Sequence, residues 1–297
     1  MKLLSYMNIT DDAPQVGILH KTKNGIIPLS MIDIDYPNMM SVIEQLTYAE
    51  FERLNLAQEA PDIPTIPLAS VKLCAPIPKP PQDIICLGIN YQEHKNEVDR
   101  YEPDTFSTKQ PYAIYFSKRV NETTACGETI PSYSNIVDSL DYEAELAVII
   151  GKDAKNISED DAEKYIFGYT ILNDISARNI QKRHTQWYFG KSFDGFAPLG
   201  PYITTADEMP LPLNVSIKSY VNGELRQDSN TGFMHFTIPQ IISELSQGMT
   251  LKAGTIISTG TPAGVGMGFN PPRFLHPGDE VRCEIEGIGT LINTIGN

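Results

Sequence analysis

Between residues 61 and 81 the chain reads PDIPTIPLASVKLCAPIPKPP, a stretch that no helix can cross. Proline fixes φ and removes a backbone donor, so at this density the backbone stays extended. The 297 residues are thereby divided into a short first part and a long second one. The boundary is expected near residue 70, with a small N-terminal domain over 1–70 and the chemistry in 71–297. In the first part KLLSY, QVGIL and GIIPL read as strands and residues 38–54 as a helix. Beyond Asp83 strands dominate, in the runs IICLGI, YAIYF, ELAVII, YTILND and VRCEIE. VSIKSYVNGELRQ is a hairpin signal, because Asn222-Gly223 suits the positive φ angles of a type I′ turn. Short helices fit 91–98, 159–165 and 238–245, the last with Thr237 as its cap. Helices and strands do not alternate regularly. That argues against Rossmann and TIM organisations and predicts an α+β, mainly β, fold.

The formal net charge of −14 argues against nucleic acid or an anionic membrane as partner, since both demand basic patches. An anionic substrate would need local cations, from metal ions or a few placed Lys and Arg. Cys74, Cys86, Cys126 and Cys283 lie far apart and form no CxxC pair, so neither a zinc knuckle nor a disulfide framework is indicated. No apolar stretch approaches a membrane span, and MKLLSYMNITDD lacks the apolar core of a signal peptide. A soluble, reduced, cytoplasmic protein is the expectation.

Residues 141–151, DYEAELAVIIG, alternate three carboxylates with Tyr142, Ala144 and Leu146 before turning wholly apolar. In a strand Glu143 and Glu145 point the same way, about 6.6 Å apart along the backbone. Two such side chains can lean together onto one cation, and unpaired they would repel. Ala147 and Ile149 continue the same face, which changes from ionic to apolar as a pocket wall does. Hard divalent ions such as Mg2+ and Mn2+ take oxygen ligands of this kind. The bland alternative is a solvated face, the commoner meaning of charged alternation. GYTILNDISARN adds Asp174 at the end of an apolar strand. It would complete a three-carboxylate site or, more simply, cap the next helix.

CLGINYQEHKNE places His94 and Glu97 three apart, on one face if residues 91–98 are helical. A carboxylate that orients a histidine makes it a better general base, although a surface pair has the same spacing. GKSFDGFAPLGP holds Lys191 in a tight stretch where it could meet a carboxylate or a developing oxyanion. Arg178 and Gln181 would project from the helix after Asp174. The glycine-rich STGTPAGVGMG could present Thr261 and backbone N–H groups to an anion. It is neither a P-loop nor a dinucleotide fingerprint, because no lysine follows in frame and Pro271-Pro272 prevent a helix.

These motifs in this order resemble the fumarylacetoacetate hydrolase family over roughly residues 80–297. The resemblance implies a mixed β-sandwich roll with a small N-terminal α/β domain, usually assembled as a homodimer. It implies that Glu143, Glu145 and Asp174 hold Mg2+ or Mn2+, with Ca2+ as a further option. It makes His94 and Glu97 a dyad on a short lid helix and Lys191 the family lysine. Arg178, Gln181, Thr261 and Tyr91 become substrate contacts, with Lys118 as another. Arg119 stands where the family often has proline, and Asn179 where it often has an acidic residue.

The implied activity is metal-assisted hydrolysis of a C–C bond in a β-diketo acid, of the fumarylacetoacetate or acylpyruvate type. His94, oriented by Glu97, would deprotonate the attacking water, and Lys191 would help to hold the enolate that leaves. No serine or cysteine near His94 offers a nucleophile instead. Three alternatives stay open. Two keep the keto acid and the metal: decarboxylation of oxaloacetate, and isomerisation or hydration of unsaturated keto acids. The third is a catalytically silent binding module.

Overall fold

The computed structural model describes residues 1–8, 13–101 and 112–297. Its centre is an eleven-stranded sheet. Across it run Ile66–Pro67, Gly25–Pro28, Gln15–Leu19, Lys2–Met7, Leu199–Thr205, Ile166–Asn173, Ala144–Ile150, Ile256–Ser258, Ile84–Gly88 and Ile114–Lys118. Lys72–Cys74 also pairs with Lys2–Met7. The N-terminal strands continue the same sheet, since Lys2 and Leu3 pair antiparallel with Thr204 and Ile203. A second sheet of five strands orders Glu224–Asn230, Ser216–Val221, Glu280–Ile285, Gly289–Ile295 and Thr129–Ile130. The mainly β expectation holds.

The strand Ala144–Ile150 lies inside the large sheet, between Ile166–Asn173 and Ile256–Ser258, and all seven of its residues are buried. Leu146, Val148 and Ile150 enter one hydrophobic core, and Ala147 and Ile149 enter the other. Period-two alternation thus serves two cores at once. Each buried Leu, Val or Ile contributes about 1.5–3 kcal/mol, which offsets the cost of placing carboxylates at the end of such a strand.

The hairpin forms as its turn residues require, with Asn222 and Gly223 at φ of 51° and 79° between paired Val221 and Glu224. The helix expected over 38–54 is instead two, Met39–Gln45 and Tyr48–Glu59. The break is a capping box. The Thr47 hydroxyl accepts the Glu50 N–H at 3.3 Å, and the Glu50 carboxylate accepts the Thr47 N–H at 2.9 Å. Residues 159–165 wind as a 3-10 helix. Thr237 caps the helix Ile238–Gly248 through a second such box, with Gln240. Thr237→Ala is expected to cost about 1 kcal/mol, read as a lower midpoint in urea with an unchanged slope. Among the described residues no helix is long and apolar enough to cross a membrane.

Candidate active site

The continuous carboxylate strand expected over 141–150 is interrupted. Leu140–Asp141 pairs with Ser176–Ala177, and the next strand begins only at Ala144. At the break Glu143 donates its N–H to the Asn173 side chain at 3.0 Å, and its carbonyl accepts the Asp174 N–H at 2.9 Å. The break therefore sews Glu143 to Asp174. Asp174 caps no helix, for Ala177 holds the N-cap position before Arg178–Arg183.

Glu143, Glu145 and Asp174 converge, each offering an oxygen within 4.8 Å of the others. They are 4%, 1% and 0% exposed, which rules out a solvated edge. The Lys191 ammonium lies 2.6 Å from Glu143 Oε2 and 2.7 Å from Asp174 Oδ2. Lys118, also fully buried, reaches Asp174 Oδ1 at 2.6 Å and the Ile175 carbonyl at 3.0 Å. Arg178 pairs with Asp141 through Nε at 2.9 Å and with Glu143 through Nη2 at 2.7 Å. Glu145 makes no ion pair with any described residue. Its Oε2 accepts only the Ser258 hydroxyl at 2.5 Å and the Gly260 N–H at 3.0 Å.

The electrostatics follow from this inventory. Burial works against the Glu143 carboxylate, but Lys191 and Arg178 hold its pKa down at about 2. Burial, with the charges of Asp174 and Glu143 beside it, pushes Glu145 well above the carboxylate range. Burial lowers the Lys118 pKa, while Asp174 pulls it back. Burial lowers Lys191 too, yet Asp174 and Glu143 outweigh it and keep that lysine charged. Four carboxylates, with Asp141, stand with three cations, and among the described residues Glu145 is the one left without an ion pair. A hard divalent cation among the three ligand oxygens would supply that charge, so the residues fit such an ion.

His94 and Glu97 sit on the helix Gln92–Tyr101, with His94 Nδ1 3.3 Å from Glu97 Oε2, and both are buried rather than on the surface. Glu97 is held from outside the helix as well. Its Oε1 accepts the Gly264 N–H at 2.8 Å. Two glycines make that docking possible. Gly264 has φ of +101°, and a Cβ there would stand 2.0 Å from the Arg226 carbonyl oxygen. At Gly268 a Cβ would stand 2.6 Å from the Glu97 carboxyl carbon.

Gln181 accepts from Arg178 Nη1 at 3.2 Å, so the expected pair is one unit. The Thr261 hydroxyl is engaged by protein, accepting from Gln227 Nε2 at 2.7 Å and donating to the Ala144 carbonyl at 3.0 Å. Gln227, which sequence reasoning passed over, also accepts the Ala144 N–H at 3.0 Å and so fixes the start of the ligand strand. Tyr91 is buried, its hydroxyl without a hydrogen-bond partner among the described residues, and burial and Glu145 raise its pKa. Asn90 was missed as well. Its amide donates to the carbonyls of Thr259 at 2.8 Å and Phe236 at 3.1 Å, and so pins the start of the histidine helix. An asparagine between an apolar run and a polar helix was the available signal. Arg119 donates its N–H to Ser192 Oγ at 3.0 Å, and Asn179 donates to the Ile136 carbonyl at 3.0 Å.

Three converging buried carboxylates that fit a divalent cation, with a buried and bonded His94–Glu97 pair, are the groups from which acid–base chemistry could be built. The model for the fumarylacetoacetate hydrolase C-terminal domain matches residues 83–296. The chain is 47% identical over 233 residues to the oxaloacetate tautomerase YisK of Bacillus subtilis, covering 77% of this chain and 74% of that one. Its structure is similar to that of a fumarylacetoacetate hydrolase from Exiguobacterium antarcticum, at 34% identity and a TM-score of 0.82, covering 100% of this chain and 99% of the other. It is also similar to maleylpyruvate hydrolase from Sphingobium sp. SYK-6, solved with manganese(II) and pyruvate, at 28% identity and a TM-score of 0.76 over 100% and 99% of the chains. The chain belongs to the fumarylacetoacetate hydrolase family.

Proposed function

We propose that the protein is a Mg2+- or Mn2+-dependent enzyme that interconverts the keto and enol forms of a small 2-keto dicarboxylate, with oxaloacetate as the model substrate. The carrying observation is a cluster of three buried carboxylates of which Glu145 makes no ion pair with a described residue, in a chain that also buries a bonded His94–Glu97 pair. The 47% identity to an oxaloacetate tautomerase supports this choice among keto acid chemistries. Bound in the cage, the cation supplies Lewis acidity toward a keto acid. Glu97 fixes His94 through Nδ1 and leaves Nε2 to exchange a proton. His94 takes a proton from C3 of the keto form, the electron pair moves to the C2 oxygen, and the imidazolium returns the proton to that oxygen, which gives the enol and restores His94. Lys191, kept protonated by its carboxylate neighbours, faces the charge that develops there. Arg178 and Gln181 orient the substrate carboxylates, and Tyr91 offers its hydroxyl as a further donor.

Hydrolytic C–C cleavage of an acylpyruvate is the second reading, favoured by the likeness to the two hydrolase structures. There His94 would take its proton from water instead. A homodimer belongs to the same proposal. Ile136, Tyr188 and Phe189, exposed by 48%, 43% and 49%, would be covered in it, with the Phe189 ring stacked on Phe193 and Phe193 on Phe196.

The test compares two substrates, each with Mn2+ and after chelation. Loss of enol absorbance is followed for oxaloacetate, and pyruvate release for oxaloacetate and acetylpyruvate. Metal-dependent enol conversion faster than any pyruvate release is the expected result. Pyruvate mainly from acetylpyruvate would replace the proposal with the hydrolase, and pyruvate mainly from oxaloacetate would make the protein a decarboxylase. No change in any assay would contradict the proposal and point to a silent module.

A further inference from the structure

Asp141 belongs to neither the cation cage nor the dyad, yet it is wholly buried and touches both neighbourhoods. Its Oδ2 accepts from Arg178 Nε at 2.9 Å and from the Met267 N–H at 3.0 Å. Its Oδ1 accepts the N–H groups of Gly266 at 2.7 Å and Tyr142 at 2.9 Å. On one side, Arg178 carries the contact onward to Glu143 at 2.7 Å. On the other, the turn built from Gly264 to Gly268 receives Glu97, through the Gly264 N–H at 2.8 Å and the bare Cα of Gly268.

Charge-assisted bonds to backbone N–H groups are short, directional and roughly twice as strong as neutral ones, and burial strengthens them further. A carboxylate with three backbone donors and one guanidinium therefore fixes the turn and the arginine in one geometry. We infer that Asp141 is a positioning residue that holds the Glu97-receiving turn in register with the Glu143–Arg178 side of the cage, and so aligns His94 with the substrate. The kinetic part of this inference rests on the acid–base role proposed above for the dyad. The structural part does not.

The experiment uses full-length protein loaded with Mn2+ and compares the parent with Asp141→Asn, Glu97→Gln and the double variant. A carboxamide has one acceptor oxygen and cannot serve Arg178 and the turn together. Amide hydrogen exchange is read first. Asp141→Asn should speed exchange at residues 264–268 and 92–97, with residues 144–150 unchanged. With oxaloacetate, the Asn variant should lose about 10–100-fold in kcat, the usual cost of losing an orienting partner, while Mn2+ affinity moves by less than about 3-fold. In the Glu97→Gln background the same change should add less than about 2-fold, because both act through one dyad.

Unchanged exchange at 92–97 would overturn the inference whatever the kinetics show. So would a loss that multiplies in full on the Glu97→Gln background. Full turnover by Glu97→Gln alone would instead sink the proposed role of the dyad, and the exchange data would still decide the coupling. If Asp141→Asn does not fold, Gly266→Ala carries the test. Its methyl would stand 2.6 Å from Asp141 Oδ1 and 2.5 Å from the Arg273 carbonyl oxygen, which loosens the same grip with the carboxylate retained. The same exchange and kinetic outcomes apply.

Discussion

Glu145→Gln is expected to fold, to bind Mn2+ at least about 100-fold more weakly, a loss of about 2.8 kcal/mol or more, and to turn over no keto acid. The amide keeps the volume and both neighbours, since its one oxygen, in the place of Oε2, can accept the Ser258 hydroxyl and the Gly260 N–H together. What is lost is the charge that no ion pair in the site balances. Without metal the same substitution is expected to stabilise the protein at neutral pH, because a buried carboxyl without a counter-charge costs free energy. The sign follows from its raised pKa in the folded state. Above the carboxylate range the unfolded chain releases a proton that the folded chain keeps, so stability falls as pH rises through that window. Urea titrations of metal-free protein across pH 4–8 would show the slope in the parent and less of it in the variant. A variant that binds Mn2+ like the parent would remove Glu145 from the cage.

His94→Asn is expected to leave Mn2+ binding within about 3-fold of the parent and to cut kcat by about 10²–10⁴, the usual worth of a positioned acid–base group. The proposed cage takes no ligand atom from His94, for its three oxygens would come from Glu143, Glu145 and Asp174. In the proposed mechanism the histidine acts from a separate helix, whose attachment runs through Asn90 and Gly264. Calorimetric Mn2+ titration beside initial rates separates the two effects. Equal losses in affinity and turnover would mean that the histidine holds the cation. Undiminished turnover would place the proton transfer elsewhere, with Lys118 and Tyr91 as the groups to change next.

The carboxylate cluster was legible because its signal is local. Glu143 and Glu145 share a strand parity, and Asp174 ends an apolar run, so each could be read within a dozen residues. The i,i+3 spacing of His94 and Glu97 was legible for the same reason, as was the Asn222-Gly223 turn. The break at Tyr142 and Glu143 was not, because it depends on the Asn173 side chain taking an N–H across 30 residues of sequence. Gln227 lies 83 positions from the Ala144 it supports, and Gly264 lies 167 from Glu97. Lys118 entered only as a family contact, and nothing local told that it would be buried against Asp174. The split of the first helix was readable in principle, since Thr47 and Glu50 have capping-box spacing, but the apolar pattern runs through it.

The central claim is that the three buried carboxylates form one divalent-cation site that serves keto acid chemistry. It is tested most directly by electron paramagnetic resonance of Mn2+ titrated into chelator-treated protein, with the parent and Glu145→Gln measured in parallel. The account predicts one tight site per chain in the parent, a change in its spectrum when oxaloacetate is added, and no tight site in the variant. A parent that binds no Mn2+, or a variant that binds it as tightly, would contradict it.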